Sequence, residues 1–101
     1  MIDRVEKCVE EGIRKGWDVG WFVKEDWNDK QLWEIKLGLE IGSDVSIYAK
    51  KEFDQKQMMM IRWGLADKLD VSRYANSKID WRSMQVVRLR LREKLLKEKE
   101  G

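Results

Sequence analysis

The sequence predicts an all-α protein, a short helical-hairpin repeat array of three 26-residue units closed by a C-terminal capping helix. Three observations carry this reading. The first is self-similarity, which at periods of roughly 20 to 50 residues marks stacked supersecondary units. Trp27–Glu52 aligns without a gap on Phe53–Lys78: Gln31, Ile35, Gly38, Leu39, Asp44, Val45, Ser46, Tyr48 and Ala49 recur as Gln57, Ile61, Gly64, Leu65, Asp70, Val71, Ser72, Tyr74 and Ala75. The same spacing runs back through Val9, Gly12, Gly16, Asp18 and Phe22, and forward through Ile79, Asp80, Met84, Val87, Arg88 and Leu91. The second is the spacing of Leu32, Ile35 and Leu39, and of Met58, Ile61 and Leu65, three then four apart, which marks one helix face. The third is composition. Proline is absent, 43% of the residues are hydrophobic and six are Trp, enough for a small core. The chain reads as a single domain, 1–101, with units 1–26, 27–52 and 53–78 and a capping helix over 79–101.

Each unit begins with a long helix. Asn28, Asp54 and Asp80 are placed as N-caps, and Gln31 and Gln57 follow three residues later, at capping-box spacing. Trp27, Phe53 and Ile79 precede the caps and face Leu32, Met58 and Met84, the arrangement of a hydrophobic staple. Gly16 and Gly42 fall where a left-handed residue closes a helix; Lys68 holds that place in the third unit, where the turn should differ or cost more. A second, short helix should start at Asp18, Asp44 and Asp70 and carry Val45, Tyr48 and Ala49 or their counterparts. At about six residues it depends on packing for its existence. Gly12, Gly38 and Gly64 lie inside the long helices at a cost of about 1 kcal/mol each against Ala, so neighbouring backbones should approach closely there. Residues 80–97 should form the longest helix, with Met84, Val87, Leu91 and Leu95 inward and Lys97–Gly101 fraying. The units should stack with a right-handed sense and give an extended surface.

Chemistry has little to work with. There is no His, which removes the commonest general base and metal ligand, and Cys8 is alone. Asp18, Asp44 and Asp70 are regularly placed acids, best explained as caps; Ser46 and Ser72 read as local hydrogen-bonders, Tyr48 and Tyr74 as packed, and Cys8 as an inert small hydrophobe. The expectation is a protein that is not an enzyme and needs no metal or cofactor. No apolar run approaches the roughly 20 residues of a bilayer span, and Met1–Glu11 does not fit a signal peptide, so a cytoplasmic location without a membrane partner is expected.

Two surface features remain. Opposite Leu32, Ile35 and Leu39, the long helices carry an apolar stripe of Trp33, Leu37, Met59, Trp63 and Leu89, flanked by Lys36, Arg62 and Arg88 in one helix column. Either the stripe is buried within the stack or it binds a partner or a second copy; Trp and Met are enriched at such faces. Residues 79–97 carry six basic against two acidic side chains, so Arg82, Arg88, Arg90, Arg92 and Lys94 form an alternative, nucleic-acid-binding candidate. The partner is expected to be a protein or nucleoprotein, with nucleic acid and a homodimer as the alternatives.

The unit Gln57-Met58-x-x-Ile61-Arg62-x-Gly64-Leu65, followed by Asp70-Val71-Ser72-x-Tyr74-Ala75, resembles a short helical repeat of proteins from phages and mobile elements of Gram-positive gut bacteria. Gln31 and Gly38–Ala49 match it; the first unit departs at Val5 and Gly20, and the last lacks its second helix. The resemblance implies a helical array and supplies no catalytic residues to carry over. It also implies a small adaptor or inhibitor acting on a host protein or nucleoprotein complex, such as a defence nuclease.

Overall fold

The computed structural model describes residues 3–100; Met1, Ile2 and Gly101, at the outer bounds of the expected first unit and capping helix, lie outside the described residues. The described residues form five α-helices and no strand: α1 (Arg4–Lys15), α2 (Gly20–Val23), α3 (Asp29–Glu40), α4 (Gln55–Ala66) and α5 (Trp81–Glu100). The long helices start where a side chain supplies the acceptor that a first turn lacks. Asn28 and Asp54 accept from the N–H of Gln31 and Gln57, both at 2.8 Å, and the glutamine side-chain oxygens accept from the cap N–H groups at 3.1 and 3.0 Å. Each glutamine also reaches outward: Gln31 Nε2 donates to the Phe53 carbonyl and Gln57 Nε2 to the Ile79 carbonyl, both at 2.8 Å. The cap of one long helix therefore pins the start of the next. Asp80 caps α5 by accepting from the Ser83 N–H at 2.8 Å, which holds its carboxyl below the usual carboxylate range. The first helix uses Asp3, one place later than a 26-residue spacing would put its cap.

The carbonyls of Gly12, Gly38 and Gly64 accept from the N–H of Trp17, Ser43 and Leu69 at 2.8–2.9 Å, closing the three helices alike. Gly16 and Gly42 take the left-handed conformation (φ 78° and 77°), and Lys68 takes it too at φ 60°. The Lys68 turn is thus the same turn, made with a residue whose Cβ disfavours it. The segments after the turns differ from the short helices expected. Val45–Ile47 and Val71–Arg73 are single 3-10 turns, and only Gly20–Val23 is α-helical. Asp44 and Asp70 accept from Ser46 and Ser72 N–H two residues on, at 3.1 and 3.3 Å, a spacing that favours a tight turn over an α-helix. At the other end, α5 stays helical through Glu100 instead of fraying from Lys97. Lys97 pairs with Glu93 at 3.3 Å, and Lys97 and Lys99 complement the helix C-terminus.

In chain order, α1, α3, α4 and α5 each pack on the next. The second elements pack alongside: α2 touches α1 and α3, and the two 3-10 turns lie on α3 and α4. The core runs along the molecule as one cluster: Phe22, Trp27, Ile35, Val45, Tyr48, Phe53, Met58, Ile61, Val71, Tyr74 and Met84. The result is a slab of 53 × 28 × 16 Å. Close approach is real at Gly38 and Gly64. A Cβ on Gly38 would overlap the Tyr48 hydroxyl and lie 2.6 Å from Val45 Cγ1, and one on Gly64 would meet Tyr74 and Val71 the same way. Those hydroxyls cross the layer to donate to the carbonyls of Glu34 and Met60, at 2.6 and 2.7 Å.

Candidate functional site

The basic column turns out to be part of the scaffold. Lys36 Nζ lies 3.2 Å from Glu11 on α1, Arg62 Nε 2.7 Å from Glu34 on α3, and Arg88 Nη1 3.7 Å from Asp67, the C-cap of α4. Each long helix thus answers the acid of the helix before it. Glu34 is 2% exposed, and its second oxygen accepts from Gln55 Nε2 at 2.8 Å, so this buried carboxylate is satisfied on both sides. Arg88 is buried as well and has no acceptor at Nε, because Met60 stands in α4 where Glu34 stands in α3. The three cations beside the stripe are therefore each paired with an acid, which a wheel of one helix does not show because the acid stands on its neighbour. The acid that mattered most, Glu34, was missed. Its signal was a lone charge in a column otherwise held by Cys8, Met60 and Val86.

The aromatic stripe itself faces outward. Trp33 is 53%, Trp63 37% and Leu89 45% exposed, while Leu37 and Met59 are half-buried. Lys36 sits 5.1 Å over the Trp33 ring and Arg88 5.2 Å over the Trp63 ring, so the scaffold cations also steady the two indoles. Trp33 borders an open groove between α1 and α3 lined by Arg4, Lys7, Cys8, Leu32 and Lys36. Burial pushes the Cys8 thiol up, against the opposing effect of Lys36, which leaves it a poor nucleophile. Among the described residues no three Cys, Asp or Glu side chains converge as a metal-ligand set. Asp44 and Asp70 cap the two 3-10 turns as expected, whereas Asp18 accepts from the Gly20 N–H at 3.1 Å without capping α2, whose N-cap is Val19.

The alternative set on α5 does not come together as one patch. Arg88 is withdrawn into the interior. Arg90 and Lys94 line a groove with Arg73, Val87 and Leu91. Arg92 projects about 200° from Arg90 around the helix, and Arg82 lies over the Trp81 ring at 5.4 Å. Comparison of the chain with protein-family models, curated proteins and solved structures gives no match.

Proposed function

We propose that the chain is a short helical-hairpin repeat array, three units and a capping helix, that works without catalysis by binding another protein through the outer edge of its long helices. The role that suits it is an adaptor or inhibitor acting on a protein or nucleoprotein complex inside the cell. The observation that carries this reading is the exposure of Trp33 and Trp63 on one edge, beside Leu89, in a molecule that neutralises its nearby cations internally. Exposed, immobilised Trp is the residue type that dominates binding energy at protein interfaces. Capture from lysate with the intact chain and with a folded Trp33→Ala/Trp63→Ala variant tests it. A protein retained after nuclease treatment and lost with the double variant supports the reading; identical capture by both chains overturns it. A second reading is favoured by Arg73, Arg90 and Lys94 converging on one groove, which suits a phosphate backbone. It predicts nucleic-acid affinity that falls steeply with salt and is lost in Arg73→Ala/Arg90→Ala.

A further inference from the structure

The outer face of α5 carries a pattern that shares only Leu89 with the edge described above. Arg82, Val86, Leu89, Glu93 and Leu96 follow one another at spacings of four and three, the repeat of a coiled-coil seam. At 100° per residue they lie within an arc of about 80°, opposite the inward residues Met84, Arg88, Leu91 and Leu95. All five are exposed, Val86 at 50% and Leu96 at 52%. The column at the centre of this face is buried in the two preceding helices, where Glu34 and Met60 are the counterparts of Val86, and the counterparts of Leu89 are the half-buried Leu37 and the exposed Trp63. Among the described residues nothing covers this face of α5.

We infer that it pairs with the same face of a second copy of this chain, the two α5 helices running antiparallel about a two-fold axis between Val86 and Leu89. The seam is complementary to itself only in that sense. Antiparallel pairing sets Val86 against the partner copy's Leu89, Arg82 against its Glu93, and Leu96 against its half-buried Ile79, and symmetry repeats each contact. Beside the seam, Arg90 falls opposite Ser83 and Arg92 opposite Gln85, so no like charges are brought face to face. A parallel pair would stack Arg82 on Arg82 and Glu93 on Glu93. A head-to-tail stack, with α1 of one copy on α5 of the next, would place Glu10, in the column of Arg88, against Glu93, in the column of Asp67. The present partners of the charged pair are local and exposed, Arg82 on the Trp81 ring and Glu93 with Lys97, and such contacts are worth little enough to exchange. Trp33 and Trp63 stay outside this seam, so a dimer that covers Leu89 would still present two copies of the Trp33 and Trp63 surface.

The test is sedimentation equilibrium of the full chain from micromolar to millimolar concentration, with three variants at exposed positions whose helical circular dichroism is checked. The chain is expected to dimerise, and Arg82→Glu or Glu93→Arg alone to weaken dimerisation by at least about tenfold. Mixing these two variants in equal amounts is expected to restore association, because one chain then carries only carboxylates in the charged layers and the other only guanidinium groups. The double variant Arg82→Glu/Glu93→Arg should self-associate again. A chain monomeric throughout the range, a mixture no tighter than its components, or a dimer indifferent to both single variants would overturn the inference.

Discussion

Replacing Gly38 with Ala tests the close approach that holds the two layers together. In an exposed helix interior this change would stabilise by about 1 kcal/mol, because Gly is the poorer helix former. Here the added methyl overlaps the Tyr48 hydroxyl and sits 2.6 Å from Val45 Cγ1. Tyr48 is fully buried, and its hydroxyl donates to the Glu34 carbonyl at 2.6 Å, so it cannot swing aside without leaving that bond. Overpacking costs about 1–3 kcal/mol, and a buried hydroxyl without its acceptor about 1–3 kcal/mol more. Against the gain in helix propensity, the net loss is about 3 kcal/mol, a large share of the roughly 5–15 kcal/mol that a small domain has. Urea unfolding followed by tryptophan fluorescence should show a lower midpoint at unchanged slope. The diagnostic step is the background Tyr48→Phe, which removes the closest obstruction and should lower the cost of Gly38→Ala by about 1–2 kcal/mol. Equal cost in both backgrounds, or a Gly38→Ala chain as stable as the parent, would refute the account.

Other consequences are simpler to state. Glu34→Ala strands Arg62 and Gln55 without their acceptor and should cost about 3 kcal/mol in urea unfolding. Lys68→Gly relieves a left-handed residue at φ 60° and should raise the urea midpoint, by about 1 kcal/mol in stability. Tyr48 and Tyr74 are both held above the ordinary tyrosine range by burial, opposed by Arg62 and Arg88 respectively. Their contribution is therefore complete below about pH 10, where unfolded tyrosine is neutral, and is lost as pH rises further and the unfolded chain ionises. Urea midpoints measured from about pH 9 to 11 should fall, and Tyr48→Phe/Tyr74→Phe should flatten that fall.

What was legible in the sequence is what is decided locally. Asn28 with Gln31 and Asp54 with Gln57 announce their capping boxes because cap and partner lie in one turn. Gly38 and Gly64 announced a close approach because a mid-helix glycine needs a reason. The expected short helix failed at Val45–Ile47 for a non-local reason as well as a local one. Asp44 folds back on Ser46, and the Tyr48 hydroxyl must reach the Glu34 carbonyl, which holds the turn against α3. The role of Arg62 and Arg88 was hidden because the acids that claim them stand on the preceding helix, 28 and 21 residues away in the chain.

The column that begins at Cys8 shows how one spacing serves three junctions and one open face. Glu34 meets Gln55 and Arg62, so the contact between α3 and α4 is polar at its centre and fixed in register by three hydrogen-bonding groups. Met60, 26 residues later, is as deeply buried but its side chain offers no acceptor; Trp81 takes the column of Gln55, and Arg88, its guanidinium over the Trp63 ring, is left with a bare Nε. The centre of that junction is held by apolar area and cation–π contact, with the long Arg88–Asp67 pair at its edge, and these set register less strictly than a buried carboxylate bonded through both oxygens. Val86, at the end of the series, has the apolar character of Met60 and none of its cover. A column that goes from buried carboxylate to buried thioether to exposed valine has exchanged polar specificity for adhesive surface along the chain. The exposed end is accordingly the place where the molecule has most to gain from another helix.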